Sequence, residues 1–504
     1  MNKYLFFKLT IALTAVLFLF SACTGKKTDK SNELRYGFTT EPTTLDPLKP
    51  GNTADGRSIL FNVFEGLIKP DVNGQMQPCI AESWTIEQDG LVYNFTLRDG
   101  MFFHDGSFVT ADDVKFSLDT AIAAGFHGLN NIKETQITSA NQISVLLKVK
   151  DPDFLPYLTT GIVKADNPDR EKNIIGTGPF FIENYSPQKN LTLVKFDNYH
   201  QSNLPHLEKV TLVFFANYDT LMLALRGGSI DGAFITGSMA AQLDRKRFDI
   251  FNNRSAGVQL LALNNAHTPL DDIRIRRAIN YSVDVQGIID TAFFGQGSPS
   301  GSPIIPGLSA YYNDTLSYPH NPDLARSLLN EAGFNDTNRL SLEITVPSNF
   351  TMHIDTAQVI VSQLEKTGIN ASIKLVDWST WLSDVYFGRQ YEATVITLDS
   401  QIVSPRGFLT RYHSANGENF LNFNNVDFDR VFDAALTETD NAKRIELYKD
   451  AQRIITENAA GVYIQDILYF ITLRGNAASN AFSGALDYPL YVIDFASIYR
   501  TNNN

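Results

Sequence analysis

Apolar and polar positions along the chain follow two periods in turn. Residues 91–97 (LVYNFTL) alternate at every second position and end at an Asp-Gly pair, which predicts a β-strand closed by a turn. From Thr110 onward, apolar residues recur three and four positions apart, behind a residue that can cap a helix and two acids in its first turn. Strands and helices that alternate in this way predict an α/β protein.

The later part of the chain continues the alternation. Proline suits the first position of a helix and glycine its end, so a helix is predicted from Pro322 to Gly333. Its apolar stripe would be Leu324, Leu328 and Leu329. The same signals predict helices over 352–366 and 442–457, and strands over 371–376, 460–464 and 468–473.

The N-terminal segment has a different pattern. Lys3 and Lys8 precede an apolar run at 9–20, and Ser-Ala-Cys follows the run. This order is typical of a cleavable signal peptide over residues 1–22, and the run is shorter than the roughly 20 residues that a membrane-spanning helix needs. Residues 23–33 are mostly polar and rich in lysine, which predicts a flexible tether.

Charge and cysteine content restrict the partners. The chain has a net charge of −13, and removal of the signal peptide would take away two lysines and no acid. Such an acidic chain, without clustered lysine and arginine, argues against nucleic acid as a partner. Cys79 is the only cysteine besides Cys23, so we expect it to be a small buried residue rather than a catalytic one.

Seven segments, spread over most of the chain in the same order, resemble the family 5 bacterial extracellular solute-binding proteins. Each segment alone is a weak signal, and their shared order makes the resemblance specific. They are EPTTLDP (41–47), FNVFEGLI (61–68), PCIAESW (78–84) with DGLVYNFTLR (89–98), FHDG (103–106) with TADDVKFS (110–117), IGTGPF (175–180), LDDIRIRRAI (270–279) and NPDLARSLLNEAGF (321–334).

The resemblance implies an α/β fold of two lobes, the periplasmic-binding-protein clamp of class II type with an extra subdomain in the first lobe. We expect lobe I over residues 34–258, lobe II over 259–473 and a return to lobe I over 474–504. A chain that crosses twice between lobes forms a hinge, with the solute held between the lobes.

The resemblance also implies ligand-binding residues. Asp399 corresponds to the aspartate that takes the ligand's ammonium group in the family's peptide receptors, although Ile396 stands where those receptors have tryptophan. This departure leaves peptide specificity open, and the alternative for Asp399 is a loop cap. Trp378 implies a flat apolar wall, with core packing as the alternative; Trp381, one turn later, fits the core better although it is also a candidate.

Two further candidates are charged. Glu41 corresponds to a family position at the rim of the cleft. Arg406 lies in a loop about two residues longer than usual and could bind a carboxylate through two hydrogen bonds, with solvent exposure as the alternative.

By resemblance the chain is the substrate-binding lipoprotein of an ATP-driven importer, and we expect a peptide or peptide-like ligand. A nickel chelate, haem or another solute is the alternative. The expected partners are the permease subunits and a membrane. Acyl chains on Cys23 would anchor the protein to that membrane, with the protein exposed in the periplasm or on the outer cell face. We expect a monomer without cofactor or metal site.

An exported hydrolase is the alternative of another class. The chain has no G-x-S-x-G or H-E-x-x-H motif and only eight histidines, so an enzyme is not expected. His104 and Asp105 could form an acid–base pair, but the glycine that follows favours a turn.

Overall fold

The computed structural model describes residues 32–50, 52–71, 75–126, 128–253, 257–400, 404–475, 482–484 and 492–501. The signal peptide, Cys23 and nearly all of the tether lie outside the described residues. Within the described ranges, every helix is too short or too polar to cross a membrane.

The secondary structure has the alternation that the sequence predicts. The strands are β1 (Glu33–Phe38), β2 (Ile68–Pro70), β3 (Met76–Pro78), β4 (Ala81–Glu87), β5 (Val92–Leu97), β6 (Ile132–Ser139), β7 (Gln142–Leu147), β8 (Phe180–Ser186), β9 (Asn190–Lys195), β10 (Lys209–Phe214), β11 (Gly232–Thr236), β12 (Phe248–Asn253), β13 (Gly257–Leu263), β14 (Ser298–Pro299), β15 (Leu340–Pro347), β16 (Ile369–Val376), β17 (Ala393–Asp399), β18 (Gly461–Asp466), β19 (Tyr469–Arg474), β20 (Phe482–Ser483) and β21 (Tyr499–Arg500).

The α-helices are α1 (Ala54–Phe61), α2 (Ala111–Ala123), α3 (Tyr218–Gly227), α4 (Gly237–Ala240), α5 (Ile273–Ser282), α6 (Val285–Ala292), α7 (Pro322–Glu331), α8 (Thr351–Glu365), α9 (Trp378–Thr380), α10 (Pro405–Leu409), α11 (Val426–Thr437) and α12 (Asn441–Glu457). Short 3₁₀ turns span Gln88–Gly90, Leu129–Asn131, Leu155–Thr159 and Thr410–Tyr412, and a π-helical turn spans Trp381–Phe387.

The first lobe is built on a seven-stranded sheet in the order β12-β19-β11-β1-β10-β9-β8. Its central strand β1 runs parallel to both neighbours, and Leu34, Tyr36 and Phe38 on it are buried in the lobe's core. A separate four-stranded sheet, β4-β5-β7-β6, packs into the same core and forms the extra subdomain.

The second lobe is built on a six-stranded sheet in the order β14-β18-β13-β17-β15-β16. Every residue of β13 and β18 is buried, as expected for central strands with both faces covered. Strand β15 runs parallel to both β16 and β17, so these three strands end at one edge of the sheet. We call it the carboxyl edge.

The chain crosses between the lobes twice. It leaves the first sheet after β12 and enters the second at β13, and it returns between β18 and β19. The final segment of the chain is held in the first lobe by Asn62. The Asn62 side chain donates to the carbonyl of Ile493 at 2.8 Å and accepts from the Phe495 amide at 2.8 Å.

The local signals acted largely as predicted. Thr110 accepts from the Asp113 amide while Asp113 accepts from the Thr110 amide, a reciprocal capping box at the start of α2. The predicted stripe of α7 is wrong at Leu324, which is 37% exposed. Leu329 is buried as predicted and Leu328 packs against the core, whereas Ala325 is buried in place of Leu324.

Candidate ligand-binding site

Three side chains of interest for ligand binding lie at the carboxyl edge of the second sheet. Phe350 follows the end of β15, Trp378 follows the end of β16, and Asp399 is the last residue of β17. Because parallel strands place their carboxyl ends together, these side chains lie near one another. In open α/β sheets, ligands bind in the crevice outside this edge.

The Asp399 carboxylate faces the first lobe. Its Oδ2 lies 3.2 Å from Nη2 of Arg57, on helix α1 of the first lobe. A second guanidinium, that of Arg411, donates from Nη2 to the main-chain carbonyl of Asp399 at 2.7 Å. The Asp399 side chain is still 47% exposed, so a solute can reach it.

Sequence reasoning proposed Asp399 as a ligand-binding residue and gave no signal for Arg57. The two residues are 342 positions apart, and no local pattern links them. The position of Arg57 is fixed by its helix and by a hydrogen bond from Nη1 to the carbonyl of Asn52 at 3.1 Å. The opposing carboxylate and guanidinium are called the Asp399 contact below.

The tryptophan pair divides into an exposed ring and a buried ring. Trp378 is 40% exposed and stacks on Trp381, with ring centroids 5.1 Å apart. Trp381 is buried, and its Nε1 donates to Oγ1 of Thr394 on β17 at 3.0 Å. Trp381 therefore belongs to the core, the alternative that the sequence favoured. Trp378 stays partly exposed at the carboxyl edge, with the Phe350 ring 5.5 Å away and nearly perpendicular to it.

Glu41 is engaged within the first lobe. Its Oε2 accepts from the Tyr185 hydroxyl at 2.9 Å and from the Gln188 amide at 2.9 Å. Burial, together with this carboxylate, raises the pKa of Tyr185 to about 12, so the hydroxyl stays a donor to Glu41. These bonds hold the segment after β1 against the β8–β9 turn.

Arg406 also joins the lobes. It lies on α10 of the second lobe, and its Nη1 donates to the Asp151 carboxylate in the loop after β7 of the first lobe. The guanidinium lies 5.7 Å from the ring centroid of Tyr157. The expected alternative of solvent exposure is wrong: the Arg406 side chain is 16% exposed and that of Asp151 only 2%, because each buries the other.

A second hydrogen bond reinforces this junction. The Tyr448 hydroxyl, on α12 of the second lobe, donates to Oδ2 of Asp153 at 2.5 Å. Together with the Arg406–Asp151 pair it forms what we call the Arg406 contact. A groove of about 510 Å³ opens beside it, lined by Asn130, Asn131, Lys148, Val149, Lys150, Asp151, Arg406, Asp433, Leu436 and Thr437. Neither Asp399 nor Trp378 lines this groove.

His104 and Asp105 form a turn, as predicted, rather than an acid–base pair. Oδ1 of Asp105 accepts from the amide of Ser107 at 3.0 Å and from its hydroxyl at 2.6 Å. The His104 ring lies 3.0 Å from the carbonyl of Gly178 and accepts from the amide of Gly176. Burial lowers the pKa of His104 to about 4, so the ring is neutral near pH 7.

One buried cluster in the first lobe resembles a metal site. Glu65, Cys79 and His200 offer ligand atoms within 4.8 Å of one another. Burial, however, raises the pKa of the Cys79 thiol well above its usual range, which disfavours the thiolate that metals bind. The Lys69 ammonium lies 3.9 Å from the Glu65 carboxylate and would repel a divalent cation. We therefore assign this cluster a structural role in the core of the first lobe.

Two packed lobes that the chain crosses twice, with a carboxylate and an aromatic face at the carboxyl edge between them, define a two-lobed solute-binding protein. Comparison with known families gives the same class. The sequence model of the protein family "Bacterial extracellular solute-binding proteins, family 5 Middle" matches residues 75–420 of this chain. The chain therefore belongs to this family.

Individual relatives are similar along most of their length. Heme-binding protein A of Haemophilus influenzae is 24% identical, with 92% of this chain and 95% of that protein covered. Glutathione-binding protein GsiB of Salmonella paratyphi A is 27% identical, covering 82% of this chain and 85% of its own. The periplasmic binding protein DppA of Helicobacter pylori, solved with the peptide STSA, superposes with a TM-score of 0.80 at 22% identity, covering 94% of this chain and all of that one. The two-lobed clamp predicted from the sequence is thereby confirmed.

Proposed function

We propose that the protein captures a peptide or peptide-like solute between its lobes and delivers it to the permease of an ATP-driven importer. The observation that carries the proposal is the half-exposed Asp399 carboxylate, which faces the first lobe from the carboxyl edge where the partly exposed Trp378 also lies. A carboxylate there suits an ammonium group, and an indole face suits an apolar chain. The relative solved with the peptide STSA supports this ligand class.

Closure follows from the double crossing of the chain. We propose that the lobes rotate about the crossings between β12 and β13 and between β18 and β19. The first crossing lies close to the bound predicted at residue 258, and the second precedes the bound predicted at residue 473 by the length of β19, which lies in the first sheet. The protein works as a monomeric receptor and has no catalytic role in this proposal.

The proposal is tested at Asp399. Asp399→Asn keeps the shape of the side chain and removes its charge, so affinity for a peptide with a free ammonium group should fall at least about tenfold. Calorimetric titration of both proteins with a peptide identified by native mass spectrometry of the purified receptor measures the change. Asp323→Asn, which alters an exposed carboxylate on α7, is the matched control. Equal affinities for wild type and Asp399→Asn would reduce Asp399 to a loop cap.

Haem is a second candidate ligand, because Heme-binding protein A is similar over 92% of this chain. Haem bound to the receptor would give an intense absorption band in the visible spectrum and its own mass in the native spectrum. If haem and not a peptide appears in that spectrum, the peptide proposal fails and the family assignment stands.

We also propose that Cys23 anchors the protein by acyl chains to a membrane, on the periplasmic or outer face. The support is the order of charged, apolar and small residues before Cys23 in the sequence. Cys23→Ala should leave the precursor unprocessed or release a form that stays in the aqueous phase when detergent is separated from water. Cys79→Ala is the control, because Cys79 is buried in the first lobe and should leave partitioning unchanged. A Cys23→Ala protein that partitions with detergent as wild type does would contradict the anchor.

A further inference from the structure

We propose that the cleft recognises an α-amino-acid head group, in which an ammonium and a carboxylate sit on one carbon atom. Asp399 receives the ammonium and Arg57 receives the carboxylate. The inference rests on the proposed function, since it adds a second anchor beside the ammonium site. Solutes with such a head group include free amino acids and peptides linked through a side-chain carboxyl, such as γ-glutamyl peptides.

The first support is the exposure of the Asp399 contact. The side chains of Arg57 and Asp399 are 35% and 47% exposed, and they approach from opposite lobes. An ion pair this exposed is weak, so little is lost when a solute separates its members. Arg57 remains aimed at the cleft after separation, because its Nη1 is held by the carbonyl of Asn52.

The second support is charge balance. A solute that carries only an ammonium would displace Arg57 from Asp399 and leave that guanidinium unpaired in the closed cleft. It would also enter beside two guanidiniums, those of Arg57 and Arg411. A solute that carries only a carboxylate would leave Asp399 unpaired. A head group with both charges replaces the Asp399–Arg57 pair by two ion pairs and leaves neither of these two side chains unpaired.

The third support is the short separation of the two anchors. Oδ2 of Asp399 and Nη2 of Arg57 are 3.2 Å apart, so the lobes must open to admit a ligand between them, and the opening is smaller when the two ligand charges are close neighbours. The ammonium and carboxylate of an α-amino acid share one carbon atom and meet this condition. The two termini of an extended dipeptide are separated by roughly 7 Å and demand a wider opening. The planar fork of arginine suits a carboxylate in this position.

Three matched compounds test the inference. γ-L-Glutamyl-L-alanine has the ammonium and the carboxylate on one carbon, 4-aminobutanoyl-L-alanine lacks that carboxylate, and glutaryl-L-alanine lacks the ammonium. By calorimetric titration, wild type should bind the first at least about tenfold more tightly than either of the others, one decade for each lost ion pair. Arg57→Ala should abolish the preference over 4-aminobutanoyl-L-alanine and keep the preference over glutaryl-L-alanine.

Asp399→Asn should give the reverse pattern, and Arg226→Ala, which removes an arginine on α3 of the first lobe, should change neither preference. The inference is overturned if wild type binds the γ-glutamyl and 4-aminobutanoyl compounds equally, if it binds none of the three, or if Arg57→Ala keeps both preferences. An Asp399→Asn protein that binds every compound as wild type does overturns the proposed function as well. Sensitivity to Asp399 without sensitivity to Arg57 overturns only the inference.

Discussion

Replacing Arg406 with alanine is expected to shift the protein toward an open cleft and to weaken ligand binding. With the lobes in contact, the change leaves the Asp151 carboxylate, only 2% exposed, without the guanidinium that compensates it. Removing one partner of a buried ion pair costs about 3–5 kcal/mol. Separation of the lobes avoids this cost, because Asp151 then regains water. The closed population should therefore fall by roughly two to four decades relative to the open one.

Small-angle scattering measures this shift directly. Without ligand, Arg406→Ala should have a larger radius of gyration than wild type, and saturating ligand should reduce the difference. Arg453→Ala is the control, because Arg453 forms exposed pairs with Asp450 and Glu457 within α12. Such pairs contribute at most about 1 kcal/mol. Equal radii for the two variants would mean that the Arg406 contact does not hold the lobes together.

Tyr448→Phe gives an independent reading of the same junction. The change keeps the ring in the second-lobe core and removes only the hydroxyl that donates to Asp153. A hydrogen bond to a charged group contributes about 1.5–3 kcal/mol, so the effect should have the same direction as that of Arg406→Ala and be smaller. An effect that exceeds that of Arg406→Ala would move the main restraint from the ion pair to the tyrosine.

Whether a feature could be predicted from the sequence depends on how far apart along the chain its interacting residues lie. The cap at Thr110 and the end of β17 at Asp399 depend on neighbours within a few residues, which the sequence displays directly. The partner of Asp399 is 342 positions away, and that of Arg406 is 255 positions away. Both contacts join residues of different lobes, so they depend on how the two lobes meet.

Arg406 shows why the local sequence alone does not predict the exposure of a residue at the junction of the two lobes. A polar loop residue that faces water and one that bridges two lobes have the same local sequence, since each needs a charged group beside turn-forming neighbours. The exposure of Arg406 is decided by Asp151, in the loop after β7 of the other lobe. Trp378 and Trp381 were separable in part, because helical spacing places one ring over the other and lets only one remain at the surface.

Glu65→Ala is expected to destabilise the first lobe by about 3–5 kcal/mol, because it leaves buried partners uncompensated. The Glu65 carboxylate is 5% exposed and accepts from the Tyr199 hydroxyl at 2.8 Å. The ring of His200 lies 3.1 Å from the same oxygen, and the Lys69 ammonium lies 3.9 Å away. Alanine would deprive all three groups of their shared acceptor inside the core.

Urea unfolding measures the loss, and hydrogen exchange followed by mass spectrometry locates it. Faster exchange should be confined to first-lobe peptides such as those of β2 and the segment after β9. Glu183→Ala is the control, since Glu183 pairs with Lys209 on the surface of the same lobe, and its change should cost at most about 1 kcal/mol. Equal unfolding midpoints for the two variants would contradict the structural role of the cluster.

Glu65→Gln separates the charge of this side chain from its shape. Burial opposes the carboxylate, but the hydrogen bond from His200 and the charges of His200 and Lys69 outweigh it and hold the pKa of Glu65 below its ordinary value of 4.5. A depressed carboxyl pKa contributes stability that is present above that ordinary value and is lost as the pH falls through the folded-state pKa. The stability difference between wild type and Glu65→Gln should therefore be constant near neutral pH and narrow below about pH 4.5. If Zn²⁺ instead raised the melting temperature of wild type and not of Glu65→Gln, the cluster would be a metal site, because only the carboxylate would complete its ligand set.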